Sequence, residues 1–281
     1  MEQFASGWKH HYYGKGDVIV YRLNRQGAES GRRSVFGANV LLLTYGDAFW
    51  PTYTTGDNTG LVATDSMKNF IQRETLTFPG ENLEELCQFL ARKFLAKYSQ
   101  AEGVQVSASE IAYAPIEDDR AFVPSGPERA AARIELSRNA LVEATSALRG
   151  FRLLRLAGSS FRGFVRDEYT TLPELADRPL HMWLDLEWRY VSASAAFSEG
   201  RVTATVRRTV LETFKSFTSG SIQQVIYQMG TRMLESVPEI AEVHLEAQNR
   251  TWDQVAEQDQ TLGVYTDPRP PYGCLGLRMK R

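Results

Sequence analysis

Four short segments of the chain hold residue types that can bind or react, and each also has an ordinary structural reading. Gly14-Lys15-Gly16-Asp17 sets a lysine between glycines ahead of an apolar run. Its glycines lack phosphate-loop spacing and no helix follows, so by itself it is a turn with a solvated lysine. Val62-Ala63-Thr64-Asp65-Ser66-Met67-Lys68-Asn69-Phe70 reads as a strand end running into a helix, with Thr64, Asp65 or Ser66 as the N-cap. Phe161 to Leu172 mixes aromatic and charged residues densely, as a hydrogen-bonded strand edge or a set of surface ion pairs would. Ser221-Ile222-Gln223 reads as a helix start, with Ser221 capping and Gln223 exposed.

Metal chemistry has little to work with. The four histidines are His10, His11, His181 and His244, the two cysteines are Cys87 and Cys274, and neither H-E-x-x-H nor C-x-x-C occurs. His10 and His11 are expected to be exposed near the start of the chain. His181 opens a strand candidate, and His244 alternates with core-type Val243 and Leu245, so packing or exposure is expected for both.

The elements that must position these segments follow from hydrophobic periodicity. Leu83, Leu86, Leu90, Phe94 and Leu95 share one face of a helix over Asn82 to Tyr98. Ile222, Val225, Met229, Met233 and Leu234 repeat that pattern over Ser221 to Val237, shifted by 139 positions, and Val104 and Val106 map at the same shift onto Val243 and Leu245. A shared offset through a helix and the strand after it indicates two tandem copies of one unit. Asp17 to Leu23 and Val35 to Tyr45 read as paired strands around a polar stretch, Asn24 to Arg33. Phe151 to Phe164, Met182 to Ser192 and Val202 to Thr209 are the strand candidates of the second half. Strands on both sides of helix pairs predict an α+β fold, an antiparallel sheet with helices on one face. Gly150 marks the expected boundary, giving units over 1–150 and 151–281, the second with a C-terminal extension through the extended Pro268 to Gly273.

Composition narrows the classes. A chain of 281 residues with 43% hydrophobic residues can bury a full core. With 32 basic against 34 acidic residues it is not built to hold nucleic acid. Two cysteines cannot make a disulfide framework, so a reducing compartment is expected. No signal-like h-region, apolar membrane span or C-terminal Ser-Lys-Leu is present, and a soluble cytoplasmic protein with no membrane partner is expected.

Taken together, the segments resemble the urate oxidase (uricase) family over nearly the whole chain. The likeness is carried by Tyr13-Gly14-Lys15-Gly16, Val62 to Asn69, Phe161 to Leu172 with Asp177-Arg178, Ser221-Ile222-Gln223 and Gln248-Asn249, in the family's order. It implies the tunnelling fold (T-fold), two tandem ββααββ units per chain assembled as a barrel-like homotetramer. It also implies oxidation of urate by O2 and water to 5-hydroxyisourate and hydrogen peroxide in purine degradation, with no metal, flavin or other cofactor. A zinc enzyme acting on a pterin or purine, and a purine-binding homologue without activity, are the alternatives in that fold group.

The resemblance also assigns roles. Phe161 stacks on the urate ring, Arg178 clamps one edge bidentately and Gln223 bonds the opposite edge, tasks that suit a ring, a planar fork and an amide. The main chain at Ile222 and Asp65 completes the binding edge. Lys15 and Thr64 form a proton relay, in which Lys15 must spend time neutral to accept a proton. The Asn249 amide holds oxygen or water above the ring with Thr64. The Lys, Thr and Asp are implied to come from a neighbouring subunit, placing the site at a subunit interface. Thr251 stands where familiar eukaryotic members have a relay histidine, and a hydroxyl does not titrate near neutrality as imidazole does.

Overall fold

The computed structural model describes residues 11–25, 33–197, 202–259, 262–268 and 270–281. They fall into two compact units. The first holds the described residues up to Ala147 together with 192–197, and the second holds Leu148–Val191 and the described residues from Val202 onward.

In the first unit, β1 (Tyr13–Asn24) and β2 (Ser34–Tyr45) are followed by a short helix α1 (Trp50–Thr54), then α2 (Thr64–Thr77) and α3 (Leu83–Lys97). Then come β3 (Gly103–Glu110), the hairpin β4 (Tyr113–Ile116) and β5 (Asp118–Pro124), and β6 (Arg129–Ser137). β2 pairs antiparallel with β1 and β3, and β3 with β6. α2 packs on β1, and α3 packs on β3 and β6. The strand β7 (Leu141–Arg155) runs across the division between units.

The second unit repeats the order. β8 (Leu180–Tyr190) precedes α4 (Val202–Lys215) and α5 (Ile222–Ser236), followed by β9 (Ile240–Asn249), the hairpin β10 (Gln254–Gln258) and β11 (Leu262–Tyr265), and β12 (Gly273–Lys280). β9 pairs antiparallel with β8 and β12, and α5 packs on both β9 and β12. The fold is thus α+β, antiparallel strands with helices packed against them, as the periodicity predicts.

The 139-position shift is visible in three dimensions. α3 and α5 begin and end at matching positions, and each buries all five of its predicted apolar residues. Their caps match too. The Asn82 side chain accepts the Glu85 N–H at 2.8 Å, and the Ser221 hydroxyl accepts the Gln224 N–H at 3.1 Å. On α5, a Cβ at Gly230 would stand 2.6 Å from the Met279 sulfur, so a larger residue there would need the Met279 side chain to move.

Three expectations are corrected. Val202 to Thr209 is not a strand but the start of α4. Its β-branched Val and Thr residues mimic strand composition, and the helical spacing of buried Val202, Val206, Val210 and Phe214 emerges only over the full length. The apolar run read as Phe151 to Phe164 belongs to β7, which begins at Leu141 and stops at Arg155, before a turn with Gly158 at φ 80°. Val62 lies outside any strand. Gly150 sits inside β7 at φ 76°, its N–H donated to Asp185 Oδ1 at 2.7 Å. The polar stretch Asn24 to Arg33 lies largely outside the described residues, as does His10.

Candidate active site

The candidate residues divide between the units. Lys15, Thr64 and Asp65 lie in the first; Phe161, Arg178, Ile222, Gln223, Asn249 and Thr251 lie in the second.

In the first unit Lys15 is half-buried within β1, opposite Leu42 of β2, so its segment is strand and not a preceding turn. A Cβ at Gly14 would lie 1.8 Å from the Leu42 carbonyl oxygen, so only glycine lets the two strands approach here. The register shifts between Lys15 and Val18, with Asp17 at φ 58° and its carboxylate accepting the Asn39 amide at 2.7 Å. A bulge of this kind re-aims the side chains beside it.

Thr64 opens α2, and the cap position is Ala63, which has no side-chain acceptor to offer. None of Thr64, Asp65 and Ser66 is therefore the N-cap. Asp65 instead turns along the helix, accepting Lys68 Nζ at 2.5 Å and Asn69 Nδ2 at 2.9 Å. The hydrogen bond and charge of Lys68 hold the Asp65 carboxyl below its usual range, and the charge of Lys15 adds to this. The spacing of Asp65, Lys68 and Asn69 thus fastens the side chain locally. The first-turn N–H groups of Thr64 and Asp65 have no acceptor within the helix, and such donors suit an anionic or carbonyl-rich ligand.

In the second unit, a loop between Phe161 and Leu175 closes on itself. Phe161 and Leu175 exchange backbone hydrogen bonds at 2.9 and 3.0 Å. Within it Asp167 accepts from Tyr169 N and Thr170 Oγ1, and Glu174 accepts the Gly163 N–H at 3.2 Å. The charges of this segment hold a turn together, where the sequence suggested a strand edge or ion pairs.

The guanidinium of Arg178 lies 5.5 Å from the Phe161 ring centroid and is half-buried, with Nε lacking a partner. Burial pulls its pKa down from the usual arginine value. Its neighbour Asp177 is turned to the main chain, with Oδ1 accepting the N–H groups of Gly158, Ser159 and Arg178 at 2.7, 3.0 and 3.0 Å. Arg178 therefore presents a cationic fork beside an aromatic face, and among the described residues no carboxylate pairs with it.

The start of α5 is tied to the same loop. Ser160 N donates to Ser219 O at 2.8 Å, and Ser219 N to Gly158 O at 2.9 Å. Ser221 caps the helix as predicted, and Gln223 is exposed. Ile222 buries its side chain, so only its main chain is left to face a ligand. Asn249 ends β9 opposite Met182 of β8, four positions beyond Arg178. Thr251 follows it and is exposed. The intervening Arg250 is buried with its guanidinium between the rings of Trp183 and Tyr272, at 3.8 and 3.9 Å.

Among the described histidines, His181 packs its ring 5.2 Å from that of Trp252, the residue after Thr251, and burial lowers its pKa. His11 Nε2 donates to the Gly46 carbonyl at 3.0 Å, and its ring lies tilted against Trp50 and Tyr53. His181 stands between buried Leu180 and Met182, so its ring leaves the other side of the strand from Met182, the partner of Asn249. His244 lies 3.7 Å from Glu246. Among the described residues no group of three or more His, Cys, Asp or Glu side chains is arranged to hold a metal ion.

Several supporting residues were not singled out from the sequence. Phe164 stacks on Phe161 at 4.9 Å, and Arg155 donates to the carbonyls of Phe214 and Phe217 at 2.8 Å and to the Ser219 hydroxyl. Tyr13 accepts the Val62 N–H at 2.9 Å.

Repeated ββααββ order and an aromatic-plus-arginine clamp beside a helix start define an α+β protein of the tunnelling-fold class with a candidate site for a flat anion. The comparisons are more specific. The uricase family model matches residues 11–135 and 144–275. The uricase of Haloferax volcanii is 38% identical, over 96% of this chain and 97% of that protein. The uric acid degradation bifunctional protein of Bacillus sp. TB-90 is also 38% identical, over 93% of this chain. The chain spans 58% of that protein's length, and 60% of the related bifunctional protein PucL of Bacillus subtilis. A crystal structure of the urate oxidase from Bacillus sp. TB-90 superimposes with a TM-score of 0.86 at 34% identity, covering 97% of this chain and 100% of that one. The chain belongs to the uricase family.

Proposed function

We propose that this chain is a urate oxidase. Urate, O2 and water are converted to 5-hydroxyisourate and hydrogen peroxide, a balance in which urate loses two electrons and O2 gains them. The observation that carries the reading is Arg178, a half-buried guanidinium beside the Phe161 face with Nε unpaired. A flat, anionic purine offers an aromatic face to Phe161 and an oxygen-and-nitrogen edge to a bidentate fork. Gln223 and the main chain at Ile222 serve the opposite edge, with the N–H of Asp65.

Urate is itself the reductant in this proposal, so the protein's work is to bind it, take its proton and place oxygen and water. Lys15 accepts the proton and Thr64 passes it. Asn249 holds oxygen or water over the ring, and Thr251 extends the relay through its hydroxyl. The residues of the first unit and those of the second belong, in this reading, to neighbouring subunits of a homotetramer, so the active sites lie at subunit interfaces. A cytoplasmic setting suits two free thiols, Cys87 and Cys274. No helix among the described residues is long and apolar enough to cross a membrane.

The test is the reaction's stoichiometry: loss of urate absorbance should be matched by equal O2 consumption and equal peroxide release. Binding of urate with no oxygen uptake would overturn the assignment.

A further inference from the structure

We infer that Tyr13 is a positioning residue for the proton relay, fastening the strand that carries Lys15 to the helix start that carries Thr64; the inference rests on the relay reading above. Tyr13 and Lys15 are alternate residues of β1, so their side chains leave the same side of the strand. The Tyr13 phenol oxygen accepts the N–H of Val62, 49 positions away in sequence and two before Thr64, at 2.9 Å.

That bond is placed where it cannot be exchanged easily. Val62 is only 5% exposed, and a buried backbone donor is costly to leave unpaired. The residues just before α2 have no regular structure, and the amide of Gln100 holds them from another side, at Gly60 O, 3.1 Å. The Tyr13 bond alone among these runs to the strand bearing Lys15.

The tyrosine is itself held. Its ring packs edge-on against fully buried Phe49, with centroids 5.1 Å apart. Gly14, next along, lets β1 press against the Leu42 carbonyl. Burial raises the phenol to about 12, so the hydroxyl keeps its proton and the oxygen remains a neutral acceptor. A rigid ring with an acceptor at its far end spans from strand to helix start, and phenylalanine would keep the ring but lose the acceptor.

The consequence is a geometric one. Without the bond, Ala63 and Thr64 can shift relative to Lys15 while both helix and strand survive. A proton relay depends on sub-ångström placement. Most of the proposed urate contacts, those of Phe161, Arg178, Gln223 and the Ile222 main chain, lie in the other unit, and only the Asp65 N–H shares the helix start with Thr64.

The full-length Tyr13→Phe protein tests this against xanthine, which keeps the purine rings and lacks the third oxo group. The expected result is a kcat for urate lower by about tenfold or more, a xanthine Kd within about threefold of the parent, and a nearly unchanged melting temperature. A parental kcat would overturn the inference. So would a parallel loss of kcat, xanthine affinity and melting temperature, which would assign Tyr13 to stability alone. Lys15→Met and Thr64→Ala, assayed alongside, separate the two failures. If both keep parental turnover, the relay reading fails; if both lose it while Tyr13→Phe does not, only the role of Tyr13 fails.

Discussion

The guanidinium carbon of Arg178 stands 5.5 Å from the centroid of the Phe161 ring, with its Nε unpaired. Both ends of that relationship are braced. Phe164 stacks on Phe161, and Asp177 collects three backbone N–H groups around the turn that delivers Arg178. Side chains held this way lose little freedom on meeting a ligand, which suits the planar anion proposed for this site.

Arg178→Lys should not be conservative. A lysine keeps the charge but loses the two parallel donors, and kcat/KM for urate should fall by about 100-fold. Steady-state kinetics check this, and a loss under about threefold would remove the bidentate clamp from the account.

Thr64 and Arg178 lie in different compact units. If neighbouring subunits share each site, mixing inactive Arg178→Ala with inactive Thr64→Ala should restore part of the activity once subunits exchange. No recovery, with exchange demonstrated by mass spectrometry of the mixed oligomers, would place both residues in a site within one chain.

The raised pKa of Tyr13 has a thermodynamic counterpart. Desolvation in the folded protein lifts it from 10.0 to about 12, so the unfolded chain releases this proton first. Below pH 10 both states hold the proton and there is no pH dependence from this group. As pH rises from about 10 towards about 12, the unfolded state is favoured and stability falls. Tyr13→Phe should therefore show a shallower alkaline loss in denaturant melts over that window. An identical slope would mean that the phenol is solvated in the folded state.

Leu90 and Met229 occupy equivalent buried positions on α3 and α5. Truncation of either to alanine should cost about 2–5 kcal/mol, since each leaves a cavity against its strands. Chemical denaturation checks this. A cost under about 1 kcal/mol at one position would break the equivalence of the two helices.

Much of the fold was legible because α3 and α5 bury one face at helical spacing, and that signal is local. α4 was not, since five of its first eight residues are β-branched Val or Thr and its helical stripe needs Val210 and Phe214 to show. The candidate segments were legible as motifs, yet their side-chain geometry was not. Asp65 looks like a cap in sequence, but its helix offers Lys68 and Asn69 at the right spacing to hold it instead. Arg155 and Tyr13 act on groups some 50 to 60 positions away, where no short pattern records the pairing. Phe164 is separated from Phe161 by a turn that the sequence presents only as a charged run.

The central claim is that this chain's own residues suffice to pass electrons from urate to oxygen. Protein stripped of metal with a strong chelator, and verified metal-free by elemental analysis, should consume O2 with urate at the rate of the untreated protein. Activity abolished by chelation and restored by adding back a metal would contradict it.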